Sequence, residues 1–292
     1  MIRNRLAQAA LAVGGSLRLG IGFAAAALAL GAPVSAPAQD LKVCGGREGT
    51  ADQRIAACTR AIQSGKLPQT DLVVTLRNRG IEWTGKHDYD HAIADFDEAI
   101  RLDAQFVPAY RSRAIAWRGK RQYDRAIADY NEVIRLNPRD ADAYGGRGYA
   151  RFFAGRYAEA AQDFTESLRL DHNAYTAAWR FLASARGGNL QEARAALIAE
   201  SAQLDDKSWP APVLGFLLGK MDASALLKAA EHPNGKVRSE HVCEAEFYAA
   251  HGDLLQGRAD EARARLRRAE RGCPRTFGEY EGAVAELRRL GG

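Results

Sequence analysis

No acidic residue precedes Asp40, and no charge of either sign stands between Leu19 and Ala38. What fills that space is Arg3, Arg5 and Arg18, an apolar run from Leu19 to Leu30, and Ala36-Pro37-Ala38. A basic start, an apolar centre and a small-x-small ending read as a secretory leader over residues 1–38, cut after Ala38. Retention as a membrane anchor is the competing reading, but Pro33 and Pro37 interrupt the run short of the roughly 20 apolar residues that a span needs. A periplasmic or secreted protein is therefore expected, with no stable membrane insertion once the leader is gone.

Chemistry-bearing motifs are absent too. The 292 residues contain no CxxC, HExxH, G-x-S-x-G or phosphate-binding loop, which leaves no metal site, cofactor site or activated nucleophile to propose. His87 and His91 stand four apart, but Asp88 and Asp90 interleave them and Arg121 and Arg125 replace them one period on, so they read as a solvated turn. Charge of one sign is also missing. The formal +5 falls when the three leader arginines are set aside, leaving 38 basic against 36 acidic residues, which argues against a nucleic-acid partner. The basic run RARLRRAER at 263–271 is broken by apolar residues at helical spacing and reads as a solvated helix face.

Cysteine is scarce but even: Cys44, Cys58, Cys243 and Cys273. In an oxidising compartment four cysteines favour two disulfides, with three connectivities open. A Cys44–Cys58 bridge would close a loop of about 15 residues, for which chain entropy gives ~3 kcal/mol.

What the chain does contain is one segment written three times. YDHAIADFDEAIRL begins at Tyr89, YDRAIADYNEVIRL at Tyr123 and YAEAAQDFTESLRL at Tyr157, a period of 34 residues. Ala92, Ile93, Phe96, Ala99 and Ile100 recur as Ala126, Ile127, Tyr130, Val133 and Ile134, an apolar stripe at helical spacing. Upstream of each stripe a second helix is marked by Leu76, Gly80 and Trp83, by Tyr110, Ala114 and Trp117, and by Tyr144 and Gly148. The small central residue lets two helices cross closely. Gly85–Asp88, Gly119–Gln122 and Ala154–Arg156 supply the turns.

This register resembles the tetratricopeptide repeat family. The resemblance implies an all-α, right-handed superhelical solenoid of helix hairpins, with repeats at 73–106, 107–140 and 141–174. Residues 39–72 form an N-terminal disulfide-stapled cap, 175–208 a degenerate hairpin, and 209–292 a repeat-like C-terminal region. Its hairpin at CEAEFY…ERGCP brings Cys243 and Cys273 to one end, and Phe277, Tyr280, Val284, Leu287 and Leu290 give it a capping helix. Caps are needed because end repeats otherwise expose an apolar face. A looser likeness, in SWPAPVLGFLLGK, CEAEFY and EYEGAVAEL, is to NlpI-like exported repeat proteins, whose kind assembles cell-envelope hydrolases and proteases.

Two sets of candidate residues follow. Arg79, Arg113 and Arg147 precede the crossing residue, and Asp95, Asp129 and Asp163 precede the second-helix aromatic. Antiparallel pairing sets them face to face, so an ion pair is expected inside each hairpin. The family's geometry puts Arg77, Ile81, Arg111, Ile115, Arg118, Tyr149, Phe152 and Phe153 on the concave, peptide-binding face. Its carboxylate clamp is not reproduced, because Ile81 and Ser112 occupy the asparagine positions. The expected function is a non-enzymatic scaffold or adaptor for a protein or peptide partner, in envelope assembly or proteostasis. The alternative is an enzyme or thiol-redox protein with its site in the C-terminal third.

Overall fold

The computed structural model describes residues 36–202 and 208–291, so the leader reading lies outside it except for the residues that open the first helix. Fifteen helices and no strand occur among the described residues. None of those helices is long and apolar enough to cross a membrane.

Three hairpins follow the 34-residue register. They are α3 (Gln69–Gly85) with α4 (Tyr89–Leu102), α5 (Val107–Gly119) with α6 (Tyr123–Leu136), and α7 (Ala141–Phe153) with α8 (Tyr157–Leu170). Each helix packs on its partner and then on the next hairpin, which makes an α–α solenoid. In front stand α1 (Ala36–Gly45) and α2 (Ala51–Gln63), joined by a Cys44–Cys58 disulfide with the Cα atoms 4.8 Å apart. A fourth hairpin, α9 (Ala174–Arg186) and α10 (Leu190–Ser201), comes after. Short α11 (Ala211–Leu217) and α12 (Ala223–Ala229) lead to α13 (Gly235–Leu255), α14 (Ala259–Gly272) and α15 (Gly278–Arg289). Cys243 is the ninth residue of the long α13, level with Cys273 at the end of α14. That pair is bonded with the Cα atoms 5.0 Å apart.

The hairpins close by a shared device. His87, Arg121 and Gly155, one period apart, have φ of 62°, 61° and 82°. The next residue in each case donates its N–H back five positions, Asp88 to Trp83, Gln122 to Trp117 and Arg156 to Arg151, at 2.8–2.9 Å. This is the left-handed helix stop that glycine adopts without strain; two of the three copies hold it with a side chain. The crossing glycine is equally tied to geometry, since a Cβ on Gly80 would stand 2.5 Å from the Phe96 ring.

Inside each hairpin Arg79, Arg113 and Arg147 grip Asp95, Asp129 and Asp163 through two guanidinium nitrogens, at 2.6–2.9 Å in the first two and at 2.7 Å or a little longer in the third. The third nitrogen reaches across to the preceding hairpin or cap, to Thr59, Asp97 and Asn131 respectively. Each arginine thus ties three helices, an inter-repeat link beyond the pair that the sequence suggests. The aspartates are buried, so removing the arginine strands a desolvated charge. Arg113→Ala is expected to cost about 3–5 kcal/mol in denaturant unfolding. Arg121→Gly, by relieving a left-handed turn, is expected to add up to ~1 kcal/mol in the same measurement.

Candidate functional site

The first helices of the hairpins, α3, α5, α7 and α9, form one face, and the structure divides it in two. Over α7 and α9 lies α15, which folds back instead of merely ending the stack. Its seating is polar as well as apolar. Glu281 faces Arg118 of α5 at 2.8 Å. Glu286 accepts from Tyr157 at 3.0 Å and pairs with Arg186 at 3.2 Å and Arg289 at 2.6 Å. Arg289 in turn donates to the Phe152 carbonyl at 3.1 Å and to that of Phe153. Glu279 accepts from Trp179 at 3.2 Å and from Tyr248 at 3.0 Å. Small residues make the close approach possible: a Cβ on Gly282 would stand 2.7 Å from the Phe247 ring.

This takes half of the expected peptide-binding set out of the open strip. Phe152 and Phe153 are 0% and 3% exposed, in an aromatic cluster with Trp179 and Tyr149. Arg118 is spent on Glu281 and lies over the Tyr149 ring. Phe152 and Phe153 do not line a free groove, because the C-terminal helices cover them, and Arg118 and Tyr149 are left only at the wall of the cavity where the open half meets α15. The adjacent aromatics were the available signal: two neighbouring rings on one helix cannot both point into their own hairpin, so one needs a cover.

The other half stays open. Val74, Arg77 and Ile81 on α3, and Arg111 and Ile115 on α5, keep the concave register, with Ile81 38% and Ile115 40% exposed. Arg77 makes no ion pair with any described residue, and its Nε is buried without a hydrogen bond. Burial, and next the charge of Arg111, lower its pKa. Arg111 is committed to Asp140, which caps α7, and lies 3.5 Å from Asp142.

Where the open half meets α15, a cavity of about 570 Å³ is lined by Arg111, Ile115, Tyr149, Tyr175, Glu244 and Glu279 among others. Glu244 accepts from Trp209 at 2.6 Å. Burial, then the neighbouring Glu279, pushes Glu244 up to about 8, and burial raises Glu279 also. Of the histidines, His251 is fully buried between Phe152 and Phe247 and is pushed down to about 3 by burial, while His87 in the turn and His91 in the first turn of α4 are exposed. No group of three or more potential metal ligands occurs among the described residues.

A sequence model of the family described as TPR repeat matches residues 120–153. The chain carries tetratricopeptide repeats. No curated protein sequence matches it. Among solved structures it is similar to a tetratricopeptide repeat protein from Parabacteroides merdae ATCC 43184, at 17% identity over 83% of this chain and 93% of that one, with a TM-score of 0.55. It is also similar to MamA from Desulfovibrio magneticus RS-1, residues 41 to the end, at 16% identity over 57% of this chain and 94% of that one, with a TM-score of 0.51. These likenesses establish the repeat fold. Repeats of this family generally bind proteins or peptides and are not catalytic, so in this chain the concave face is the surface to weigh.

The buried carboxylate and histidine set opposite pH limits. Glu244 keeps its proton in the folded protein up to about pH 8 against an ordinary 4.5, so its contribution is full below 4.5 and is lost as pH rises through 8. His251 resists protonation down to about 3 against 6.5, so its contribution is full above 6.5 and is lost as pH falls towards 3. Unfolding free energy measured from pH 7 to 8.5 is expected to decline in the wild type by at most about 1.4 kcal/mol per pH unit through Glu244. Glu244→Gln should flatten that decline.

Proposed function

We propose that the protein is a non-catalytic adaptor that holds a segment of a partner protein on the open half of its concave face. One observation carries this reading. Four large apolar side chains are well exposed among the described residues, Val74, Ile81, Ile115 and Ile198, and three of them lie on the α3–α5 strip beside the unpaired Arg77. Exposed apolar groups set around an unsatisfied cation suit a segment that offers apolar residues and a carboxylate. The partner's carboxylate restores to Arg77 the hydrogen bonds that partial burial removes, while Ile81 and Ile115 lose their exposed area to the partner.

The leader-like N-terminus and the looser likeness of the C-terminal third to NlpI-like proteins support a periplasmic setting and a role in envelope assembly or proteostasis. The thiol-redox alternative loses its reactive group, since all four cysteines are in disulfides. Arg111→Glu is a poor probe because it would set three acidic groups together at the start of α7. Arg77→Glu combined with Ile81→Asp changes only the strip, since neither residue lines the cavity. Affinity capture from periplasmic extract is expected to weaken by at least about tenfold with this variant, with helicity and melting unchanged, and added salt should reproduce part of the loss. Capture equal to wild type by the folded variant would remove the strip as the site.

A further inference from the structure

The cavity at the end of the strip has chemistry that the adaptor reading does not use. Glu244 on α13 and Glu279 on α15 both line it, only 4% and 5% exposed. Neither carboxylate forms an ion pair with any described residue. Their hydrogen-bond donors are neutral: Trp209 and Tyr175 for Glu244, Trp179 and Tyr248 for Glu279. The cations that share the cavity wall are already engaged, Arg111 with Asp140 and Asp142, and Arg118 with Glu281. A third acidic wall group, Asp142, is exposed and draws on Arg111, so it frees no positive charge for the two glutamates.

Two desolvated carboxylates with no cation are costly to ionise together, and a buried charge is stabilised only by an opposite charge with matching hydrogen bonds. In the protein alone a proton meets that need. The cavity, however, is open and continuous with the strip, because Arg111 and Ile115 belong to both. Tyr149 and Tyr175 also line it, and aromatic side chains suit a flat, weakly hydrated cation.

We propose that the Glu244–Glu279 cavity receives the guanidinium of an arginine carried by the partner segment that lies on the Val74–Arg77–Ile81 strip. The claim rests on the adaptor reading and sharpens it. The segment is bipolar, with a carboxylate at Arg77, apolar residues along Ile81 and Ile115, and an arginine at the far end. The guanidinium takes the place of the proton that burial favours on these carboxylates, so both become ionised and the displaced proton leaves to solvent.

The test titrates the full protein calorimetrically with N-acetyl-arginine amide and with the uncharged, near-isosteric N-acetyl-citrulline amide. The arginine compound is expected to bind roughly tenfold or more tightly than the citrulline compound. Glu244→Gln and Glu279→Gln should each erase that preference, and N-acetyl-lysine amide should bind more weakly than the arginine compound. Arg77→Glu should leave the preference intact, which separates this site from the strip. Equal binding of the arginine and citrulline compounds, no binding of either, or a preference that survives both glutamine variants would overturn the proposal. If one glutamine variant fails to fold, the wild-type comparison and the other variant still decide it. A positive result here with unaltered capture by Arg77→Glu, Ile81→Asp would sink the strip while keeping the cavity.

Discussion

A helix hairpin has two apolar faces and can bury only one of them by itself. Everything in this structure answers that constraint. In the three regular repeats the answer is the next hairpin, helped by an arginine that spans three helices. At the N-terminal end the cap α1–α2 is too small to gain much from burial, and a covalent link between Cys44 and Cys58 makes up the deficit. At the C-terminal end the stack does not simply stop; α13 and α14 extend it and α15 turns back over α7.

The return of α15 has an electrostatic cost that explains its surroundings. Three glutamates of this helix, Glu279, Glu281 and Glu286, are taken largely out of water, and each is met differently. Glu286 faces Arg186 and Arg289 and is held below its usual range despite burial. Glu281 faces Arg118 alone, and burial wins, raising its pKa. Glu279 has neutral donors only and is raised as well. The gradient runs along the helix from fully compensated at its C-terminal end to uncompensated at its N-terminal end, where the cavity opens. Charge that the fold leaves unanswered therefore coincides with space that the fold leaves unfilled.

The sequence showed the repeats because their physics is local. A 34-residue register, a small crossing residue and a left-handed stop all act within one hairpin, and the inter-repeat limb to Asp97 and Asn131 could have been read from their own 34-residue spacing. The covering of Phe152, Phe153 and Arg118 was not legible, since it depends on contacts such as Tyr157 to Glu286, 129 residues apart. An acidic helix such as α15 looks solvated on its own, because burial of a glutamate is decided by what waits on the other side. For the same reason Glu244 and Glu279 carried no signal: each is an ordinary helix glutamate until α13 and α15 bring them to one cavity.

The division of the concave face also limits what that face could hold. An uncovered groove running past α3, α5, α7 and α9 would accept a long segment and discriminate little among partners. With α15 seated, the free surface reaches from Val74 to the cavity edge at Ile115 and Arg111, the breadth of two first helices. A surface that short cannot rely on area, so affinity has to come from a few well-placed groups, of which Arg77 at one end is the clearest. Specificity follows from the same economy: a segment with its charges reversed meets an unpaired cation where it brings a cation, and that mismatch leaves both groups desolvated. The C-terminal helix is thus more than a cap, since by closing half of the repeat face it turns a general binding surface into a short and polar-ended one.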